Sequence, residues 1–226
     1  MTEAMLELNQ IFAPLESLDL ELTKSQQVVA LGLYRELSKG APVRREQIAS
    51  VLGIPTSDVS AALDSPALSC LMFHDDENRI VGFGGLAIPQ MAHKLIVGGQ
   101  ELYTWCAWDA LFIPELLDTT AHVESTCPET KTPVRLEVAP EGIKKVEPLG
   151  TVVSFLVPDE LRIEQTAAET MKTFCHRVHF LASPEAGQAW TDRNPGTFVL
   201  SLEDAFTLAQ MLNSHRFGSV LQRTTT

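Results

Sequence analysis

From about Arg79 onward, the sequence consists of short apolar runs separated by Gly, Pro and charged residues. The runs are Ile80–Ile88, Lys94–Val97, Ala121–Ser125, Val134–Val138, Thr151–Val157 and Thr173–Ala182. Runs of this length are typical of strands, and the turn residues between them favour pairing of strands that are close in sequence. We therefore predict a mainly antiparallel sheet in this part of the chain.

Two stretches interrupt the strand pattern as predicted helices. One covers Trp105–Phe112 and is ended by Pro114, and the other covers Ser201–Ser214, where Ser201 suits a helix start. The polar tail Arg223–Thr226 is expected to be frayed. The sheet region is thus expected to carry interspersed helices.

The residues that precede the sheet region have the periodicity of helices. Apolar residues at three-residue steps predict a first helix over residues 26–39, and a second, short helix is predicted over residues 45–53. Thr56 or Ser57 is expected to cap a third helix. The inward-facing residues of that third helix are predicted to be Val59, Ala62 and Leu63.

A strand, turn and strand pattern around Asp75–Asn78 follows the three helices, and this order is similar to a winged helix-turn-helix. We predict an α+β protein with a winged-helix-like module at residues 1–78 and an antiparallel-sheet domain at residues 79–226. The third helix contains two aspartates and no Lys or Arg, whereas a DNA-reading helix presents basic and amide side chains. A structural role for the module is therefore favoured over DNA binding.

The formal net charge of the chain is −12 at pH 7, which repels phosphate backbones and argues against nucleic acid as a partner. The N-terminal stretch has no basic segment followed by an apolar one, and the sequence has no apolar run long enough to span a membrane. We therefore expect a cytoplasmic protein that does not associate with membranes. In that compartment the four cysteines stay reduced and are available for metal or nucleophilic chemistry.

The segment Leu102–Pro114 combines a thiol and a carboxylate with two tryptophans. If the segment is helical, Cys106 and Asp109 lie three residues apart on one face, with Trp105 and Trp108 beside them. A thiol and a carboxylate would then share one apolar patch. The alternative is that Cys106 is a small buried apolar residue and that Asp109 is a solvated or capping side chain.

A second candidate segment is Phe174–Phe180, whose alternation predicts a strand with Cys175 and His179 on one face and His176 on the other. The two histidines are therefore not expected to share a metal ion. Cys127 lies where a strand is predicted to run into a turn, and it is either a ligand or a buried structural residue. Cys70 is expected to be a packing residue.

Four motifs occur in a fixed order along the chain. They are Leu-Tyr-x-Trp-Cys-Ala-x-Asp at 102–109, Ser-x-Cys at 125–127, Glu-Pro-x-Gly at 147–150 and Phe-Cys-x-x-Val-His-Phe at 174–180. Together they closely resemble the bacterial organomercurial (alkylmercury) lyases. The resemblance extends from about Val28 to His215, and the first and last motifs are its most specific parts.

The resemblance implies that Cys106 and Cys175 are catalytic cysteines, that Asp109 is a catalytic aspartate, and that Cys127 is a structural cysteine. The resemblance also implies that Cys106, Cys175 and Asp109 bind the Hg²⁺ ion, which belongs to the substrate and the product. The resemblance further implies an organomercury substrate, no organic cofactor or permanent metal, external thiols that assist product release, and a mercuric reductase that accepts the ion. Two departures from the family stand out.

The departures are at His176, where some family members carry a further cysteine, and at Cys70, which has no counterpart. Neither affects the implied catalytic residues. The first removes a possible auxiliary thiol from this chain. The second adds a thiol whose role the resemblance does not assign.

The chemistry of carbon–mercury cleavage suits these residue types. Mercury(II) is a soft ion, so two thiolates are suited to hold it. A free thiol has a pKa of about 8.5 and is mostly protonated at neutral pH, so a base such as Asp109 is needed to take its proton. Cleavage then needs a proton at carbon, and a carboxylic acid in an apolar, tryptophan-lined pocket is a suitable donor.

Two other functions would use the same cysteines. A winged-helix, metal-responsive transcription regulator would sense a metal with them, but the acidic third helix and the net charge of −12 argue against it. A protein that only sequesters metal would need the thiolates and have no use for Asp109. The regulator would bind a specific DNA duplex and release it with metal, whereas release of a hydrocarbon from an organomercury compound distinguishes the enzyme from a sequestering protein.

Overall fold

The computed structural model of the chain describes residues 3–18, 21–156, 166–218 and 220–221. Its helices are α1 Glu3–Leu18, α2 Lys24–Leu37, α3 Arg45–Leu52, α4 Thr56–Leu63, α5 Pro66–Ser69, α6 Asp109–Leu117, α7 Ala167–Thr173, α8 Pro184–Arg193 and α9 Leu202–Phe217. Its strands are β1 Met72–His74, β2 Ile80–Phe83, β3 Leu86–Ala87, β4 His93–Val97, β5 Gln100–Thr104, β6 Ala121–Thr126, β7 Pro133–Ala139, β8 Gly142–Glu147, β9 Val152–Phe155, β10 Phe180–Leu181 and β11 Phe198–Ser201. The predicted frayed tail and Val157, the last residue of one predicted run, lie outside the described residues.

Helices α2 to α4 confirm the three helices that the periodicity predicts. Thr23 and Gln26 form a reciprocal capping box at the start of α2, and Gly53 ends α3 in the left-handed conformation with φ of 66°. The predicted cap of α4 is wrong, because Pro55 occupies the cap position and Thr56 is already helical. The predicted inner face of α4 is confirmed, since its three residues are buried.

The hairpin of β1 and β2 connects the helices to the sheet. The side chain of Asp75 accepts hydrogen bonds from the backbone N–H groups of Glu77 and Arg79 and so shapes the turn. The two strands pair antiparallel, and Val43, between α2 and α3, forms a bridge with Ile80. The predicted division between residues 78 and 79 falls inside this hairpin, and both that division and the winged-helix similarity stay predictions.

Two antiparallel sheets form the rest of the fold. The larger sheet has eight strands in the order β1-β2-β3-β5-β4-β6-β7-β8, and the smaller has the order β10-β9-β11. Helix α6 packs against α9, and α9 contacts β8 of the larger sheet as well as β9 and β11 of the smaller one. The predicted α+β class, with helices followed by a mainly antiparallel sheet, is confirmed. Within the described part of the chain, every helix is too short or too polar to cross a membrane.

The predicted helix over Trp105–Phe112 is only partly correct. Helix α6 begins at Asp109 and contains Pro114, while the residues before it form an irregular turn. The reason is that their backbone groups bond to distant segments. The N–H of Trp105 donates to the carbonyl of Gly85 at 2.9 Å, and the N–H of Ala107 donates to the carbonyl of Val178 at 3.2 Å.

The predicted strand over Thr173–Ala182 is wrong over most of its length. Helix α7 ends at Thr173, residues Cys175–Arg177 form a 3-10 turn, and only Phe180–Leu181 are in a strand. Local hydrogen bonds replace sheet pairing here, because the N–H of Arg177 donates to the carbonyl of Phe174 at 2.9 Å. Apolar residues at alternate positions do not distinguish this compact turn from a strand.

Candidate active site

Three side chains from separate parts of the chain converge on one buried point. A sulfur from Cys106, a sulfur from Cys175 and a carboxylate oxygen from Asp109 lie within 4.8 Å of one another. Cys106 follows β5, Asp109 is the first residue of α6, and Cys175 is in the 3-10 turn before β10. Cys106 is 0% exposed, Cys175 is 3% exposed and Asp109 is 7% exposed, so the cluster is shielded from bulk water.

The turn before α6 fixes Cys106 against Asp109. Oδ2 of Asp109 accepts the backbone N–H of Cys106 at 2.7 Å. The hydroxyl of Thr104 donates to the carbonyl of Cys106 at 2.8 Å, so both backbone groups of Cys106 are engaged. The predicted arrangement on one helical face is therefore replaced by a turn, which still places the thiol and the carboxylate side by side.

The turn that carries Cys175 is held by β9. The hydroxyl of Ser154 donates to the carbonyl of Arg177 at 2.8 Å and accepts the backbone N–H of His179 at 2.9 Å. The bond from Ala107 to Val178 then ties this turn to the segment of Cys106. These contacts hold the two thiols in place from two different sheets.

The carboxyl group of Asp109 has a pKa raised to about 6. Burial raises it, because a low-dielectric environment disfavours the charged form, while hydrogen bonds from the thiol and the backbone N–H of Cys106 and the charge of Arg216 oppose the rise. A pKa near neutrality lets one group both accept and donate a proton under physiological conditions. Asp109 thus has the acidity of a general acid–base group.

Both thiols have raised pKa values. Burial is the main cause at Cys106, followed by its hydrogen bond to Cys175 and the charge of Asp109. At Cys175, the hydrogen bond from Cys106 lowers the pKa, but burial and the charge of Asp109 raise it by more. The thiols are therefore protonated at neutral pH and need a base to ionise them, which the adjacent carboxylate supplies.

A cavity of about 120 Å³ opens onto the cluster. Its apolar lining includes Trp105, Trp108, Phe112, Phe174 and Leu212. The indole N–H of Trp108 donates to the carbonyl of Ala205 at 2.9 Å, which fixes that ring at the cavity wall. An apolar group of modest size can therefore lie next to Cys175 and Asp109, whose sulfur and carboxylate oxygen are within 4.8 Å of the sulfur of Cys106.

Two residues of the cavity wall, Gly85 and Arg216, were not predicted from the sequence. Gly85 has a φ of 98°, and a Cβ atom built on it would lie 2.7 Å from Cγ of Asp109. The adjacent glycines at 84 and 85 were a sequence signal for close backbone approach. Arg216 is in the last turn of α9, where a basic residue is common, so the sequence offered no signal for it.

The other candidates lie outside the cluster. Cys127 is buried just after β6, where its N–H donates to the carbonyl of Thr132, and Cys70 is half-buried at the end of α5. The predicted placement of His176 and His179 on opposite faces of a strand is wrong, because His176 is in the 3-10 turn and the strand begins only at Phe180. The ring Nε2 of His179 lies 3.0 Å from the carbonyl oxygen of His176. Among the described residues, neither histidine belongs to a group of three or more side chains that could hold a metal ion.

Comparison with known proteins gives consistent matches. A sequence model of the family described as alkylmercury lyase matches residues 87–214. An alkylmercury lyase of Bacillus cereus is 39% identical over 183 residues, which are 80% of this chain and 79% of that protein. One of Staphylococcus epidermidis is 36% identical over 215 residues, covering 95% and 92% of the two chains, and one of Streptomyces lividans is 41% identical over 180 residues, covering 80% and 79%.

The fold also matches a solved structure, that of the mercury-bound form of MerB2. The TM-score is 0.71, and the match covers 93% of this chain and 98% of the other. At 22% sequence identity, this likeness supports the fold and adds nothing about individual residues.

Proposed function

Because the chain belongs to the alkylmercury lyase family, as the family match over residues 87–214 and relatives 36% to 41% identical show, we propose that Cys106, Asp109 and Cys175 together cleave the carbon–mercury bond of organomercury substrates. The observation that carries this assignment is the convergence of two thiols and one carboxyl group within 4.8 Å in a buried, apolar pocket. The overall reaction converts R–Hg⁺ and the two thiols into R–H, Hg²⁺ held by two thiolates, and one proton.

The first step is capture of the substrate. With a pKa of about 6, Asp109 is mostly ionised at neutral pH and takes a proton from one of the two thiols. The thiolate that results bonds to mercury, because soft sulfur is a far better ligand for a soft ion than water or a carboxylate. Asp109 now holds the proton that the later step needs.

The second step is protonolysis. The other thiol adds to mercury as a thiolate, its proton passes to solvent, and the added electron density weakens the bond from mercury to carbon. The carboxylic acid of Asp109 then gives its proton to carbon, and the electron pair of the broken bond stays with carbon in R–H. Burial raises the pKa of Asp109, so the carboxylic acid keeps the proton that it took from the thiol until carbon accepts it.

The product ion leaves by exchange between thiols. Hg²⁺ held by Cys106 and Cys175 passes to external thiols, and we propose that a mercuric reductase is the final acceptor. Exchange of this kind needs reduced thiols, which the cytoplasm supplies, so we propose that the enzyme acts there.

Gas chromatography of the vapour above the reaction tests the proposal. Purified protein, excess thiol and methyl- or phenylmercury should release methane or benzene continuously, and a protein in which Cys106 and Cys175 are both replaced by serine should not. The matched control is Cys70→Ser, which should still release hydrocarbon because Cys70 does not line the cavity. Failure of the unaltered protein to release hydrocarbon from either compound would overturn the proposed function.

A further inference from the structure

We propose that Arg216 makes the pocket selective for organomercury compounds that carry a carboxylate, either on the organic group or on the thiol that brings the mercury in. This inference rests on the function proposed above and adds a substrate class to it. It concerns binding and not the chemical step, because mercury is held by the two sulfurs.

Arg216 lies on the wall of the catalytic cavity. It is half-buried in the last turn of α9 and lines the same cavity as Asp109 and Cys175. Among the described residues that line this cavity, Arg216 is the basic one and Asp109 the acidic one, and the others are apolar apart from Cys175 and Thr170. The charge of Arg216 reaches Asp109, whose pKa it lowers.

An apolar cavity normally disfavours anionic ligands. A carboxylate that enters it loses its hydration, which is costly unless a charged donor replaces the water. A guanidinium group has several N–H donors in a planar fork and binds a carboxylate through paired hydrogen bonds. Since the guanidinium group has enough N–H donors for more than one acceptor, Arg216 can bind an incoming carboxylate while it keeps its other contacts.

The second possible source of the carboxylate is the carrier thiol. Organomercury ions are held by soft thiolates, so a substrate often arrives as R–Hg–SR′. Capture by the enzyme forms a bond between a cysteine sulfur and mercury and breaks the bond between mercury and the carrier sulfur, which leaves as R′S⁻ with its electron pair and is then protonated. A carboxylate on R′ that is held by Arg216 would place mercury beside the two sulfurs before this exchange.

The experiment has one arm for each source. In the first arm, 4-carboxyphenylmercury is compared with its neutral carboxamide, both with 2-mercaptoethanol as carrier. In the second arm, phenylmercury is compared with 3-mercaptopropionate and with 2-mercaptoethanol as carriers. In each arm the measured quantity is the ratio of kcat/KM for the carboxylate form to kcat/KM for the neutral form, taken from hydrocarbon release.

We expect this ratio to exceed one in at least one arm and to fall by roughly 10-fold in Arg216→Met, as expected for the loss of a hydrogen bond to a charged group. The loss should appear mainly in KM, and Arg216→Lys should restore part of the ratio. The matched control is Arg35→Met, which removes an exposed arginine from the last turn of α2 and should leave the ratio unchanged. The control separates selectivity from a general effect of removing positive charge at a helix end.

Two outcomes would overturn the inference. One is a ratio at or below one in both arms with the unaltered protein, which requires no variant and so does not depend on whether Arg216→Met folds. The other is a ratio above one that stays the same in Arg216→Met. Turnover of the neutral substrates by the unaltered protein would leave the proposed function intact in either case, whereas loss of all hydrocarbon release would count against that function itself.

Discussion

Asp109 accepts the backbone N–H of Cys106 through Oδ2 at 2.7 Å, so the carboxylate is anchored to the residue whose thiol it faces. An asparagine at the same position can keep this bond through its carbonyl oxygen, because that oxygen is also an acceptor. The amide cannot exchange a proton, however. The geometry of the site and its proton transfer can therefore be separated by one substitution.

We expect Asp109→Asn to bind inorganic Hg²⁺ through Cys106 and Cys175 and to lose most of its catalysis. Release of R–H should fall by about 10²- to 10⁴-fold, which is the usual contribution of a positioned acid or base. The measurement pairs a thiol titration of mercury binding with gas chromatography of the hydrocarbon at a single pH. Equal release from both proteins would show that solvent, and not Asp109, supplies the proton.

Replacement of either clustered cysteine by serine should abolish turnover with the fold intact. The hydroxyl matches the thiol in shape, but it is a hard ligand and hardly ionises. Cys70→Ser is the control and should change turnover little, since Cys70 is not part of the cluster. Circular dichroism checks the fold and hydrocarbon release checks the activity. An inactive Cys70→Ser together with an active Cys175→Ser would mean that the wrong thiol has been assigned.

The pH dependence of kcat/KM should reveal the base. Capture needs the ionised form of Asp109, and its pKa of about 6 means that this form is lost as the pH falls below that value. We therefore expect kcat/KM to decrease roughly 10-fold for each pH unit on the acidic side of about pH 6. The same profile recorded on Asp109→Asn should lack this inflection, and an inflection that persists in the variant would point to a different group.

A methyl group at Gly85 should disturb Asp109 directly. The Cβ atom of Gly85→Ala would lie 2.7 Å from both Cγ and Oδ1 of Asp109, so the carboxylate must move. Displacement of a catalytic group by about 1 Å can lower the rate by about 10²-fold. Gly99→Ala is the control, because Gly99 also has a positive φ, of 83°, but its Cβ would meet nothing within 4 Å. Both variants carry a backbone strain of about 1–2 kcal/mol. A difference in kcat/KM between them therefore measures the effect of the contact with Asp109. Equal activity of the two variants would contradict the prediction.

Burial of Asp109 should cost stability at neutral pH. A carboxyl group whose pKa is higher in the folded chain stabilises the fold at low pH, and that contribution is lost as the pH rises through the folded pKa of about 6. Relative to the ordinary value of 3.8, the difference corresponds to at most about 3 kcal/mol. Asp109→Asn should therefore be more stable than the unaltered protein above pH 6, with the advantage shrinking toward pH 4. Urea unfolding at both pH values tests this, and an advantage that grows with acidity would contradict it.

The elements that the sequence predicts well are those that local residues determine. Helices α2 to α4 follow from apolar periodicity and helix-ending residues, and the start of α9 follows from Ser201, whose hydroxyl accepts the N–H of Asp204. Strands β4, β6 and β7 follow from short apolar runs between turn residues. Strands β5 and β8 were not predicted, because their polar residues weaken the alternation that marks a strand. Strand β11 was not predicted either, although three of its four residues are apolar.

The cluster of Cys106, Asp109 and Cys175 was predicted in its composition and not in its local structure. The turn at Cys106 depends on carbonyl groups of Gly85 and Val178, which are remote in sequence, so no local pattern could indicate it. The 3-10 turn at Cys175 has the same alternation as a strand. The meeting of Cys106 with Cys175 was predicted from the resemblance and from the ligand needs of mercury, since spacing alone does not bring two distant turns together.

Because of where the two thiols lie, binding of the product ion should also stabilise the folded chain. Cys106 lies two residues after a strand of the eight-stranded sheet, and Cys175 precedes a strand of the three-stranded sheet. A mercury ion bonded to both sulfurs therefore cross-links the two sheets. An ion that binds only the folded chain shifts the unfolding equilibrium toward the folded form. The loaded protein should withstand heating better than the empty one, so the folded chain itself retains the toxic ion until an acceptor thiol arrives.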